Sequence, residues 1–190
     1  MLLAAGQAFY LHAPLLVAAA VAGLVLKADL LRALARPIDA GATVRGRRLF
    51  GDTKTWRVVV AAIVGATLGV CAQRWLVGAH AGALAMLDYA RTNPLALGAA
   101  LGGGAVLGEL PNSFVKRQLG IPPSGTARGP VRAWFYVWDQ VDFLTATWPL
   151  ACLFARPTWL HVAVSFALAL VMHPLVALLG YAIGSRKSAR

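Results

Sequence analysis

Charge is what this sequence has least of. Only 13% of its 190 residues are charged, and acids are the scarcer kind, 7 Asp and Glu against 18 Lys and Arg. A soluble domain averages about 25% charged residues, and disordered or nucleic-acid-binding segments carry more, so those classes are excluded and no nucleic-acid partner is expected. Cysteine is nearly missing too. Cys71 and Cys152 lie in apolar stretches without CxxC spacing or a His cluster, which excludes a disulfide framework or zinc site and leaves them as small core hydrophobes. Met1 to Ala5 lacks a basic segment and no small-residue cleavage site follows, so the first apolar run reads as a retained span rather than a signal peptide. The glycine spacing of a Walker A loop is absent, which excludes an ATPase of that kind.

What is present is apolar sequence, 59% of the chain. At roughly 20 residues per crossing it is long enough for about four to six membrane helices and no separate soluble domain. Spans are predicted at 1–26, 58–77, 95–112, 138–155 and 158–184, the second with Arg74 and Trp75 placed to snorkel and to sit at the interface. The expected fold is therefore an all-α integral membrane protein, a single membrane domain over 1–190. It is a bundle of about five transmembrane helices with two functional loops, 27–57 and 113–137. Five spans put the termini on opposite sides, and 15 of the 18 basic residues then share one face. By the positive-inside rule that face is cytoplasmic, which places the N-terminus outside, in an inner or cytoplasmic membrane.

The acids are sorted just as unevenly. Asp29, Asp39, Asp52, Glu109, Asp139 and Asp142 fall on the basic face and only Asp88 opposite. A basic surface that also holds nearly every carboxylate suits a polyanion accompanied by a divalent cation. Small-xxx-small spacing recurs at Gly65/Gly69, Gly98/Gly102, Gly104/Gly108 and Gly180/Gly184. It predicts close helix approach, within one bundle or across a homodimer.

Three stretches carry candidate chemistry. If the third helix continues past 112, Glu109, Asn112, Ser113, Lys116 and Arg117 follow one another at i, i+3, i+4, i+7 and i+8, on one face, with Pro111 as a possible kink. The alternative is an ordinary helix end with snorkelling cations. Asp139 and Asp142, at i and i+3, share a face at the start of the fourth span, where an unpaired charge is expensive. A divalent cation on phosphate oxygens would satisfy both, and so, more simply, would placement near a helix N-terminus. The loop Pro37-Ile38-Asp39-Ala40-Gly41, followed by Arg45 to Arg57, ends in Gly51-Asp52-Thr53-Lys54-Thr55 just before a helix, an arrangement suited to phosphate oxygens. Its cations would also hold anionic lipid headgroups at about 1 kcal/mol each.

At these residues the chain resembles the CDP-archaeol synthase family, relatives of the phosphatidate cytidylyltransferases. The blocks are Arg47-Arg48-Leu49-Phe50-Gly51-Asp52-x-Lys54-Thr55-Trp56-Arg57, then Gly108-Glu109-Leu110-x-x-Ser113-Phe114-x-Lys116-Arg117-x-Leu119-Gly120-Ile121, then Asp139-Gln140-x-Asp142-Phe143. The resemblance implies transfer of a cytidylyl group from CTP to a lipid phosphate with Mg²⁺, giving a CDP-activated lipid and pyrophosphate. It implies Lys116, Arg117, Asp139 and Asp142 as catalytic residues, and Asp139, Asp142 and Glu109 around the metal. Arg48, Asp52, Lys54, Thr55, Asn112 and Ser113 would then contact substrate. The chain departs from the family at Glu109, commonly Asp, and at His12-Ala13-Pro14, where an Asn-containing sequence precedes the proline. Pro122-Pro123 stand where the wider cytidylyltransferases have Lys-Asp. The lipid acceptor stays open among archaeal ether lipid, phosphatidic acid and other prenyl or acyl phosphates. Two rival readings use the same basic mouth: an anion transporter or channel, which leaves Asp139 and Asp142 without a role, and a non-enzymatic membrane subunit. His161 and His173 are expected to pack or hydrogen-bond within the last helix.

Overall fold

The computed structural model describes residues 1–79, 82–123, 125 and 127–182. The predicted end of the last span at Gly184, the basic cluster 186–190, His80, Ser124, Thr126 and the His173 side chain lie outside the described residues.

Two helices, α1 (Leu2–His12) and α2 (Pro14–Lys27), form the first span, kinked where Pro14 supplies no backbone N–H. They are followed by α3 (Trp56–Ala79), α4 (Pro94–Gln118), α5 (Val131–Val141), α6 (Leu144–Ala151) and α7 (Trp159–Ala182). The Asn93 side chain caps α4, accepting from the N–H groups of Leu95 and Ala96, and Pro94 follows at the first helical position. The helix runs through Pro111 to Gln118, so the polar residues beyond 112 do continue a membrane helix.

All-α, membrane-type architecture is therefore present, but the span count is corrected. Among the described residues three helices are long and apolar enough to cross: Leu2–Lys27, Trp56–Leu76 and Pro94–Gln118. The predicted span 138–155 is instead the end of α5, a break at Asp142 and Phe143, and α6. Eight residues of α6 rise only about 12 Å, against about 30 Å of hydrocarbon. Asp139, Gln140 and Asp142 interrupt the apolar pattern there, and Pro157 follows soon after α6. The 24-residue α7 lies along the predicted span 158–184, and its apolar stretch among the described residues is Trp159–Met172.

The bundle packs small residues with a few leucines inside, while many of its large apolar side chains point outward. Leu68, Leu95, Leu107 and Leu153 are exposed, and the interior is built from Ala62, Ala66, Val70, Leu97, Leu101, Leu144 and Ala151. This is the pattern of a protein whose solvent is lipid. Gly65/Gly69, Gly98/Gly102 and Gly104/Gly108 are packed inside the chain, and the Gly180/Gly184 pair passes outside the described residues at Gly184. A Cβ on Gly102 would stand 2.4 Å from the Ala62 carbonyl oxygen on α3, and one on Gly108 would stand 2.5 Å from the Asp142 carbonyl oxygen. Gly65 and Gly69 press in the same way on Ala18 and Pro14 of α2. Cys71 and Cys152 are free thiols as expected, but both are exposed rather than in the core.

The expected loop 27–57 spans 28–55 between α2 and α3 and holds more order than a loop. A two-residue hairpin, β1 (Thr43–Val44) against β2 (Arg47–Arg48), pairs Thr43 with Arg48 and Val44 with Arg47. Backbone bonds from Ile38 N–H to the Lys54 carbonyl (2.9 Å) and from Trp56 N–H to the Arg36 carbonyl (3.1 Å) close the segment on itself at the foot of α3. Replacing Gly102 with leucine drives a side chain into the α3 backbone. We expect a fall in the thermal midpoint of the detergent-solubilised protein equivalent to about 3 kcal/mol, read by circular dichroism, against little change for the roomier Gly103→Ala.

Candidate active site

The face predicted along α4 is the floor of the site. Asn112 is 2% exposed, and its Nδ2 donates both to Asp139 Oδ1 (2.6 Å) and to Asp142 Oδ2 (2.7 Å), so a single amide gathers the two carboxylates. Lys116 pairs with Asp139, and its ammonium lies 5.6 Å from the centre of the Phe135 ring. Glu109 pairs with Lys54, which reaches down from the loop. The Asp142 turn comes this close because Gly108 has no side chain, and Thr145 Oγ1 steadies the turn by donating to the Asp142 carbonyl (2.7 Å).

The loop forms the roof. Arg47 donates to the Gln118 carbonyl, and Gln118 Nε2 to the Arg48 carbonyl (3.4 Å), which ties the hairpin to the end of α4. Gly51 lies directly over Arg117: a Cβ there would be 3.4 Å from Nη1 and 3.0 Å from Pro123 Cγ. Its φ of +91° is a conformation that glycine adopts without strain. Thr55 is buried just before α3, and its carbonyl accepts from the N–H groups of Val58 and Val59.

A residue absent from the predicted set organises this roof. The Asp39 side chain is fully buried. It accepts from Arg48 Nη2 (2.6 Å) and from the backbone N–H groups of Phe50 (3.0 Å), Gly51 (3.1 Å) and Gly41 (3.1 Å). Arg48 then reaches Asp52 with Nη1 (2.6 Å). Burial opposes ionisation of Asp39, but the hydrogen bonds from Arg48 and the three N–H groups outweigh it and hold the carboxyl well below the usual carboxylate range. The sequence signal was the Pro37-Ile38-Asp39-Ala40-Gly41 turn, where an Asp precedes a glycine by two residues and accepts from its N–H.

Most of the predicted residues therefore meet, with changed partners. Asp139, Asp142, Asn112 and Lys116 form one network, Glu109 and Lys54 a second beside it, and Arg48 and Asp52 a third in the roof. Ser113 is half-buried on the same helix. Lys116 and Arg117, predicted to work together, diverge: Lys116 turns toward α5, Arg117 toward the loop. The predicted metal set of Glu109, Asp139 and Asp142 is not assembled as three carboxylates. No group of three or more His, Cys, Asp and Glu placed to hold a metal occurs among the described residues. Below the site a cavity of about 240 Å³ opens among α2, α3, α4 and α7, lined by Leu15, Leu16, Ala62, Val106, Phe143 and Met172, with Glu109 at its polar end.

His161, expected to pack or hydrogen-bond within the last helix, hydrogen-bonds at its N-terminal end. Its Nδ1 accepts from the Thr158 N–H (3.1 Å) at the start of α7, and its Nε2 meets Gln7 Oε1 (3.0 Å).

A family model described as CarS-like, CDP-archaeol synthase, matches residues 8–188. The chain belongs to the CDP-archaeol synthase family. It is 40% identical over 157 residues to the CDP-archaeol synthase of Halobacterium salinarum, covering 78% of this chain and 80% of that one. With those of Methanoculleus marisnigri and Pyrococcus furiosus it shares 33% over 159 residues and 37% over 142. These matches cover 80% and 74% of this chain and 87% and 72% of theirs. A solved structure described as an intramembrane enzyme for archaeal membrane lipid biosynthesis superposes with a TM-score of 0.62 at 26% identity, over 90% of this chain and 92% of that one. Membership in the CDP-archaeol synthase family makes this an integral membrane enzyme of the cytidylyltransferase class, and the channel and non-enzymatic-subunit readings fall away.

Asp39 gives the site a testable acid limit. With its folded pKa depressed, the unfolded chain takes up the proton first, so the contribution is complete above about pH 4 and is lost as pH falls further. Asp39→Asn is expected to lower the thermal midpoint, because Arg48 Nη2 and three backbone N–H groups lose their anionic acceptor while Arg48 keeps only Asp52. Thermal melts from pH 7 to 3 should show a smaller acid-induced drop for the variant than for the wild type.

Proposed function

We propose that the chain transfers a cytidylyl group from CTP to an archaeal-type lipid phosphate, with the reacting groups meeting over α4. The observation that carries this reading is the convergence of Asp139 and Asp142 on Asn112, at the end of an apolar cavity and beneath a loop rich in cations. In the reaction a lipid phosphate oxygen attacks the α-phosphorus of CTP. The bond from that phosphorus to the bridging oxygen breaks, and pyrophosphate leaves with the electron pair. Positioning and charge neutralisation are the protein's share of such a transfer.

The apolar cavity suits the lipid chains, which would bring the phosphate up beside Glu109 and Lys54. Lys54, tethered by Glu109, offers an ammonium to phosphate oxygens. Asp52, Arg48, Thr55 and Ser113 line the approach from the loop and the helix. Lys116 holds Asp139 in place, and the Asp39-anchored turn sets the height of Gly51.

Asp139 and Asp142 also fit a divalent cation. The two carboxylates are held side by side by Asn112 Nδ2, and Asn112 Oδ1 is buried without a donor, so the groups that would have to turn to a cation are hard oxygens. These three residues would hold Mg²⁺, which when bound neutralises triphosphate charge and polarises the phosphoryl oxygens. Glu109, engaged with Lys54, would join only after leaving that partner. The orientation that goes with this chemistry has the basic loop and the site in the cytoplasm, where CTP is found, and the N-terminus outside.

Purified protein incubated with labelled CTP, Mg²⁺ and a panel of lipid phosphates should yield CDP-lipid, archaeal ether acceptors ahead of diacyl ones. Asp142→Asn should lower kcat by about 100-fold or more, as should Lys116→Ala through misplacement of Asp139. Full activity in the double variant would remove these residues from the site.

A further inference from the structure

His12 stands inside the first membrane span, where an ionisable side chain marks a function. Its Nδ1 lies 2.9 Å from the Ala8 carbonyl oxygen, which can only accept, so Nδ1 carries the proton. In the neutral ring that leaves Nε2 as a bare acceptor, buried with no hydrogen-bond partner among the described residues. Trp148 is 4% exposed and packs its ring edge to face on His12, 4.8 Å between centroids. Its indole N–H is buried and unmet as well. An orphan acceptor and an orphan donor therefore sit on touching rings, and each is costly to leave unpaired.

There is space beside them. A cavity of about 90 Å³ lies between the α1–α2 kink and α7, lined by apolar side chains apart from His12 and Ser165. The Ser165 hydroxyl is already committed to the His161 carbonyl (2.9 Å), so His12 is the lining residue with a hydrogen bond still to make. This cavity shares Leu15, Leu16, Phe143, Ala169 and Met172 with the larger one that ends at Glu109. The two are neighbouring chambers of one apolar track. Thr147, next to Trp148, packs on Gly104, five residues and about 8 Å along the α4 axis from Glu109. That is hydrocarbon depth.

The pair limits its ligand chemically. An alkyl chain satisfies neither atom, an ether or carbonyl oxygen only accepts and serves the indole alone, and an ion is excluded by the apolar lining. A hydroxyl donates and accepts through one oxygen, and serves both. Resting on the reading that a lipid phosphate occupies the larger cavity, we propose that His12 and Trp148 bind a hydroxyl group carried on the hydrocarbon chain of the acceptor lipid. His12 is then a specificity-determining residue that favours hydroxylated over plain chains. A single buried water offers the same hydrogen bonds, and the experiment separates the two sources.

The full chain in detergent is titrated with decanol and with decane, following tryptophan emission. Decanol should give a saturable shift, absent in Trp148→Phe and requiring about fivefold or more alcohol in His12→Phe, while decane gives none. In CDP-lipid assays, acceptors with a mid-chain hydroxyl should exceed the matching plain chains in kcat/KM by about fivefold or more. That ratio should fall to about one in His12→Phe, with the KM for CTP unchanged. His12→Gln, which keeps a side-chain acceptor, should retain part of the preference, a rescue that packing alone does not give, and it serves if the phenylalanine variant does not fold. Equal kcat/KM for both acceptors in the wild type would overturn the proposal, as would a preference that survives in His12→Phe. Decanol and decane acting alike would leave the pair to a water and overturn it too. Wild-type protein that makes no CDP-lipid, yet binds decanol through His12 and Trp148, would remove the transferase reading and leave the hydroxyl site standing.

Discussion

A carboxylate at the edge of a lipid-facing helix is tolerable only when a cation or a hydrogen-bond donor meets it, and here the meeting point of two of them is the Asn112 amide. Asn112 sits three-quarters of the way along α4 and binds Asp139 and Asp142 with a single nitrogen. Because the two acids lie on either side of the α5 end, that one contact fixes where α5 stops and where the chain turns into α6. Lys116 and Phe135 then lock α5 from the other side. Without the amide the acids would be left to repel each other across a low-dielectric seam.

Close approach of backbones is the second condition, and it falls to α4 on two sides. Gly98 and Gly102 admit α3, while Gly104 and Gly108 admit Thr147 and the Asp142 turn. Any larger residue at Gly108 would push Asp142 away from Asn112, so the packing glycines and the polar cluster form one device. The same economy explains why many large apolar side chains are left outside: between helices in lipid there is no hydrophobic gain from burying them, and close contact at small residues holds the helices together.

Local periodicity made the α4 face legible in the sequence, because i, i+3, i+4, i+7 and i+8 fall on one side of any helix whatever surrounds it. The blocks that resemble the family marked the loop and the Asp139-Asp142 pair for the same reason: they are contiguous. What escaped was non-local. Asp39 gains its role from an arginine nine residues on and from two backbone N–H groups beyond that, of which its own turn with Gly41 gives no sign. Glu109 is placed near a metal by the resemblance alone, and its pairing with Lys54, 55 residues away, is visible only in the fold. The fourth span differs because apolar length alone passes over the interruption between α5 and α6. The polar break at 139–142 has to be weighed against the tertiary contacts that make a short helix sufficient.

Lys116 and Arg117 show how this reading changes when side chains are seen in space. As sequence they are a basic pair at a helix end, equivalent and both available for phosphate. One hundred degrees of helical rotation separates them. That rotation hands one to the acids of α5 and leaves the other under the Gly51 turn. The turn stands at that height because Asp39, fully buried, holds the Gly51 N–H. The acidic hub in the loop and the free cation on the helix are therefore two ends of one arrangement. The first consumes the charge of Arg48 to shape the roof, and the second keeps its own charge unmatched beneath it. A site in which both arginines were neutralised internally would be stable and would have nothing to offer a polyanion. In this one, the cost of one buried unpaired guanidinium is offset by the rigid turn and the packed helix around it.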